Sequence, residues 1–129
     1  MVIDASVVVK ASTTSRTLGA LARHPLAAPT LMWSEAASAL RQQQWRGEIS
    51  AHQAREGLAW LIGIQVDAHD SREILDAAWR VATQLGWAKT YDAEYIALAR
   101  RLRVPLVTLD ARLRRSAGRV VEVIGPTEA

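Results

Sequence analysis

The chain has 129 residues, half of them apolar and 22% charged, with a mean hydropathy of +0.01. That is the balance of one folded domain spanning 1–129, and it excludes a disordered or fibrous chain. The absence of cysteine excludes a disulfide framework and a thiolate metal site.

No apolar stretch is long enough to cross a membrane, and Asp4 stands where a signal peptide needs an apolar run. The sequence therefore reads as cytoplasmic, without a membrane partner. Sixteen basic residues against thirteen acidic ones leave a net charge of +3. Fourteen of the sixteen are Arg, seven of them between Arg100 and Arg119. Arginine suits bidentate phosphate contacts, which points to a polyanion, although a solvated basic face accounts for the same charge.

In chain order, Met1–Ile3 reads as a short buried strand ending at Asp4, with a turn into a helical segment. Ser12 to Ser15 reads as a polar loop, Thr17–Arg23 as a short helix, and Leu26–Ala28 as a brief strand before Pro29. A helix is expected over Leu31–Arg46, stopped by Gly47. Ser50 caps another that reaches Ile62. Ile64–Asp67 reads as a strand. Asp70 or Ser71 caps a helix ending at Leu85, and a further helix runs from Thr90 to Arg103. A strand over Leu106–Leu109, a short helix over Ala111–Ser116 and a strand over Val120–Ile124 complete the chain. Apolar strands alternating with helices predict an α/β fold of three layers, α/β/α, doubly wound around a short, mainly parallel sheet.

Four carboxylates are placed unusually. Asp4 and Asp110 each follow a buried strand, at the carboxyl edge where doubly wound sheets bind ligands. Strand periodicity sets Thr108 on the side of Asp110, so its hydroxyl is expected to orient that carboxylate. Helix N-capping explains either Asp equally simply. At 100° per residue Glu35 lies about 40° from Ala39 and about 60° from Met32, at the margin of an apolar stripe. Asp92 shares a helix face with Ile96 and Ala99 and looks inward, or else caps its helix. Glu48, Glu56, Glu73, Asp76, Glu122 and Glu128 read as surface charges.

Four inward carboxylates at one sheet edge repel one another, by roughly 4 kcal/mol per pair at 4 Å and an effective dielectric of 20. Such a cluster binds a hard cation, takes up protons or weakens the fold. Oxygen donors without His or Cys favour Mg²⁺ or Mn²⁺ over zinc. Those ions, beside an arginine-rich surface, suit phosphodiester hydrolysis.

The residues Met1-Val-Ile-Asp4-Ala-Ser6, Trp33-Ser-Glu35, Tyr91-Asp92-Ala-Glu-Tyr-Ile-Ala-Leu-Ala99 and Pro105-Leu-Val-Thr108-Leu-Asp110 together resemble the PIN domain. They are most similar to VapC-like toxins of bacterial toxin–antitoxin modules, and the resemblance runs over essentially the whole chain. It implies a Mg²⁺- or Mn²⁺-dependent endoribonuclease toxin cutting structured RNA such as transfer or ribosomal RNA. Asp4, Glu35, Asp92 and Asp110 would be its catalytic and metal-binding set, with Ser6 and Thr108 supporting it by hydrogen bonds. A homodimer and a small VapB-like antitoxin lying across the acidic groove are implied as well. The chain departs from the pattern at Lys10–Ser15, which is short and polar, and at Arg112, where some relatives carry another Asp.

Two other α/β readings fail on residues. A haloacid-dehalogenase-like phosphatase needs a second Asp where Ser6 stands. A receiver domain needs a Lys after a late strand, whereas Lys89 precedes a helix. A non-catalytic PIN-like module that binds RNA or protein remains the alternative, although it would be expected to lack one of the four carboxylates. The five Trp (33, 45, 60, 79 and 87) are expected in the core or an interface, or stacked on bases. His24, His52 and His69 are expected at the surface. Lys10 and Lys89 are either solvated or reach phosphates, and the Arg100–Arg103 and Arg112–Arg115 clusters are expected to flank Asp110 and bind RNA.

Overall fold

The computed structural model describes residues 1–129. Five short strands, β1 (Val2–Ile3), β2 (Ala27–Pro29), β3 (Asp67–His69), β4 (Leu106–Val107) and β5 (Val123–Ile124), form one sheet in the order β3-β2-β1-β4-β5. Every neighbouring pair is parallel. Six helices connect them: α1 (Ala5–Thr13), α2 (Leu31–Trp45), α3 (Ala51–Gly63), α4 (Ser71–Leu85), α5 (Tyr91–Leu102) and α6 (Ala111–Ala117). The expected α/β architecture with a parallel sheet is present.

The strand order explains the layers. From β1 the chain steps outward to β2 and β3, then crosses back beyond β1 to β4 and β5. Right-handed crossovers in opposite directions put their helices on opposite faces. Accordingly α1, α2 and α3 pack on one another, while α4 and α5 form a second pair with α5 lying over β2, β1 and β4. The reversal falls between β1 and β4, which makes their carboxyl ends the switch point. The core joins both layers through Ile3, Val8, Met32, Leu61, Ile74, Ile96, Leu98 and Leu106, all fully buried.

Local differences from the sequence reading have physical causes. No turn separates β1 from α1, because Asp4 is itself the N-cap, and α1 continues through Ser12 and Thr13. Those two hydroxyls donate back to the Val9 carbonyl, so the polar residues extend the helix and do not open a loop. Thr17–Arg23 yields only a 3-10 turn at Gly19–Arg23. β3 begins at Asp67 and not at Ile64, since β2 offers its first pairing partner at Ala27, opposite Asp67. β4 stops at Val107 and β5 starts at Val123, both shorter than expected.

No tryptophan is fully buried. Trp33, Trp60 and Trp87 pack partly against the core, while Trp45 and Trp79 are 79% and 68% exposed. No helix is long and apolar enough to cross a membrane.

Candidate active site

Asp4 enters the site as the residue after β1, and the backbone there fixes its side chain. Its Oδ1 accepts from the Val7 amide at 3.4 Å as the cap of α1, and from Ser6 Oγ at 2.6 Å. Its Oδ2 accepts from Thr108 Oγ1 at 2.6 Å. Asp4 thus caps α1 through Oδ1, while Thr108 holds Oδ2. Oδ1 is thereby fully used, and Oδ2 keeps a lone pair free for a further ligand.

Thr108 does not orient the Asp110 carboxylate as the periodicity suggested. Its hydroxyl accepts from the Asp110 backbone amide at 3.0 Å and spends its own proton on Asp4. Ser6 completes the latch: its hydroxyl lies 3.4 Å from that of Thr108 and accepts from the Leu109 amide at 3.0 Å. Asp110 caps α6 through Oδ1, which accepts from the amides of Arg112 and Leu113. Its other oxygen takes no hydrogen bond from the protein.

Glu35 is half-buried on α2 and accepts from Tyr95 Oη at 2.5 Å. Asp92 opens α5 without capping it, since Thr90 holds the cap position, and its carboxylate accepts no hydrogen bond.

The electrostatics tie these groups together. Burial raises the Asp4 carboxyl above the usual range and Asp92 repels it further, against the lowering effect of its hydrogen bonds. Burial raises Glu35 too, assisted by the charges of Asp92, Asp4 and Glu94 and opposed by the Tyr95 hydroxyl. Asp92 is raised by burial and by Asp110, and only the Arg112 guanidinium works the other way. The Tyr95 phenol is driven far above its ordinary value by burial and by Glu35, so it serves as a fixed donor. All three groups resist ionisation chiefly because they are buried, with neighbouring carboxylates adding to the effect.

Two cavities lie on either side of α6 at this cluster. One of about 560 Å³ is lined by Glu35 and Asp92 with Lys89, Arg112, Trp87 and Tyr91. The other, on the α1 side, contains Asp110 and Thr108. As the side chains stand, no three carboxylates converge closely enough to hold a metal ion. The donor chemistry nevertheless fits a hard divalent cation: carboxylate oxygens alone, with free lone pairs on Asp92, Asp110 and Glu35, and negative charge uncompensated.

Sequence reasoning passed over two residues. Tyr95 lies three positions after Asp92, on the same helix face, and holds Glu35. Glu94 is only 4% exposed, and its Oε1 has no hydrogen-bond partner. Its apolar neighbours Ala93, Ala97 and Leu98 were the signal that it faces inward. Conversely, Arg100, Arg101 and Arg103 do not flank the site. They stand at the far end of α5, about 15 Å of helix away from Asp92, where Arg101 bonds the Glu73 carbonyl. Arg112 and Arg114 do stand beside it.

The PIN domain family model matches residues 1–119. Ribonuclease VapC1 of Mycobacterium tuberculosis is 36% identical over 99 residues, covering 74% of this chain and 71% of that protein. Ribonuclease VapC9 of the same organism is 33% identical over 93 residues, covering 72% and 71%. Among solved structures, PAE2754 from Pyrobaculum aerophilum superposes with a TM-score of 0.71 at 22% identity, covering 98% of this chain and 90% of that one. VapBC2 from Rickettsia felis, solved with a DNA fragment from its promoter, gives a TM-score of 0.69 at 14% identity, covering 96% of each chain. The structural likenesses speak for the fold, and the sequence matches for the lineage: this chain belongs to the PIN domain family, among the VapC ribonucleases.

Proposed function

We propose that the chain is the toxin of a toxin–antitoxin pair, an endoribonuclease that hydrolyses phosphodiester bonds in structured RNA such as transfer or ribosomal RNA in the cytoplasm. One observation carries the reading. Asp4, Glu35, Asp92 and Asp110 come from four separate elements to one sheet edge, and three of them are pushed above their ordinary pKa by burial and mutual repulsion. Carboxylates with such shifts, gathered beside a cleft, mark a functional site, and an all-oxygen donor set suits a hard cation.

The four carboxylates would hold Mg²⁺ or Mn²⁺, which would supply charge neutralisation at the phosphate and a more acidic water. The chain's own residues do the remaining work. Ser6 and Thr108 fix Asp4, and Tyr95 fixes Glu35. Glu35 stands free on its second oxygen to take a proton from an attacking water, while Arg112 and Lys89 face the phosphate charge from the same cavity.

The partners proposed are an RNA, a small VapB-like antitoxin and a second copy of the chain. The named relatives are VapC ribonucleases, and one structural neighbour is a toxin–antitoxin complex from Klebsiella pneumoniae. Exposed Trp45, Ile62 and Trp79 supply apolar surface suited to protein partners.

The test is cleavage of total RNA by the purified chain with Mg²⁺, with Mn²⁺ and with EDTA, beside folded Asp4→Ala and Asp92→Ala proteins. Metal-dependent cutting lost in both variants supports the reading; cutting that survives EDTA or both substitutions refutes it. The failure of any three carboxylates to converge favours a second reading, a non-catalytic RNA- or protein-binding module. Binding without cutting in every metal would select it.

A further inference from the structure

The cavity on the α1 side of the carboxylates is not used by the chemistry above. It measures about 460 Å³, within the ~300–1,000 Å³ typical of small-molecule sites. Its floor is apolar, from Leu18, Leu21 and Leu109, and hydroxyls of Thr14, Thr17 and Thr127 stand around it. Thr108 and Asp110 form part of its wall, so whatever fills it abuts the carboxylate cluster.

Two cations line it, and they differ. Arg114 is held by Glu128 at 2.7 Å, which fastens the C-terminal turn against α6. Lys10 enters none of the chain's ion pairs. A free ammonium beside an apolar floor and a ring of hydroxyls matches a phosphate, a base and a ribose. Helix α6 divides this cavity from the one holding Glu35 and Asp92, with Arg114 lining the first and Arg112 the second. A strand crossing the carboxylates would therefore meet a cation on either side.

We propose that this cavity seats one unpaired RNA nucleotide next to the scissile phosphate, with Lys10 on its phosphate and the leucines beneath its base. The proposal rests on the ribonuclease reading and extends it to substrate choice. The outer wall, Gly125 to Glu128, lies beyond the residues 1–119 that match the family.

The experiment measures binding of fluorescein-labelled, random-sequence single-stranded RNA octamers to full-length Asp92→Asn protein in Mg²⁺, with Lys10→Ala, Lys10→Arg or Thr127→Trp added. Cleavage of total RNA by the same substitutions in the otherwise native chain is followed separately. Thr127 is exposed, so the Trp fills the cavity from its rim, and Lys10→Ala guards against a folding artefact in that variant.

Thr127→Trp is expected to weaken RNA binding about tenfold, a loss of about 1.4 kcal/mol, because the indole takes the space of the base. Lys10→Ala should flatten the salt dependence of log affinity by about 0.7, as for one single-strand phosphate contact, and Lys10→Arg should restore it. RNA affinity and cleavage unchanged in both Lys10→Ala and Thr127→Trp overturn the cavity assignment while leaving the ribonuclease reading intact. Weakened binding by a chain that cuts nothing leaves the cavity and removes the ribonuclease. Absence of any RNA binding by the full-length protein overturns the proposal as well.

Discussion

Thr108 Oγ1 donates to Asp4 Oδ2 at 2.6 Å, joining residues 104 positions apart across the switch between β1 and β4. Both are buried, at 2% and 5% exposure, so water cannot replace the bond if it is lost. Thr108→Val keeps the shape and removes the donor. It is expected to cost about 1.5–3 kcal/mol, the range for a hydrogen bond to a charged group, read as a lower urea midpoint at unchanged slope. Because this bond lowers the Asp4 pKa, the loss should shrink as pH falls and the carboxyl protonates. Thr108→Ser should recover most of the stability.

Tyr95 and Glu35 make the corresponding pair at the other side of the site. Tyr95→Phe removes the one hydrogen bond that lowers the Glu35 pKa. The acid limb of the cleavage profile should therefore move to higher pH. Near neutrality kcat/KM is expected to fall roughly tenfold, the equivalent of one charge-assisted hydrogen bond of about 1.4 kcal/mol. A profile that loses height without moving would show Tyr95 to be a packing residue only.

Stability itself should depend on pH in an unusual direction. Asp4, Glu35 and Asp92 all have raised pKa values, so the folded chain holds their protons more tightly than the unfolded chain does. Stability is then lost as pH rises from the ordinary carboxylate values through the raised ones, and the loss is complete above them. Glu48, Asp70 and Glu128, shifted downward by Arg partners, act only at more acid pH. Without divalent metal, Tm should be higher at about pH 5 than at about pH 7. Asp92→Asn should raise Tm at about pH 7 and flatten the dependence, and added Mg²⁺ should stabilise the native chain more at the higher pH.

Glu94 is a different kind of cost. Its buried Oε1 has no partner, and an unsatisfied buried acceptor costs about 1–3 kcal/mol. Glu94→Met, nearly isosteric and apolar, should raise stability by that amount in denaturant titration. Relieving its repulsion of Glu35 should also lower the pKa that governs the acid limb. A destabilised Glu94→Met protein would show that the carboxylate has a partner supplied by solvent.

The residues divide by what sequence periodicity can carry. Asp4 and Asp110 were legible because a carboxylate directly after an apolar strand has few places to point. Glu35 and Asp92 were legible because each breaks or borders an apolar helical stripe. The target of the Thr108 hydroxyl was not, since alternation gives the side of a strand but not which of two neighbouring chains it reaches. The same limit hid the partnership of Tyr95 with Glu35, 60 residues apart. The register of β3 depends on where β2 offers a partner, and Arg100 to Arg103 are near Asp110 in sequence but lie at the opposite end of β4, so sequence distance does not carry their position.

Arg112 tests the departure from the family pattern most directly. It sits in the first turn of α6, lines the cavity with Glu35 and Asp92, and is the one cation that lowers the Asp92 pKa. It is exposed and enters none of the ion pairs, so its charge is available to a phosphate. Arg112→Ala should raise the Asp92 pKa and flatten the salt dependence of RNA affinity by about 0.7, one phosphate contact on a single strand. Arg112→Asp should tighten Mg²⁺ or Mn²⁺ binding, measured by calorimetry, while weakening RNA binding further than Arg112→Ala does. Opposite movement of the two affinities follows from a guanidinium that neutralises phosphate where some relatives place another carboxylate. If both affinities fall together, Arg112 holds α6 in place and has no contact with the strand.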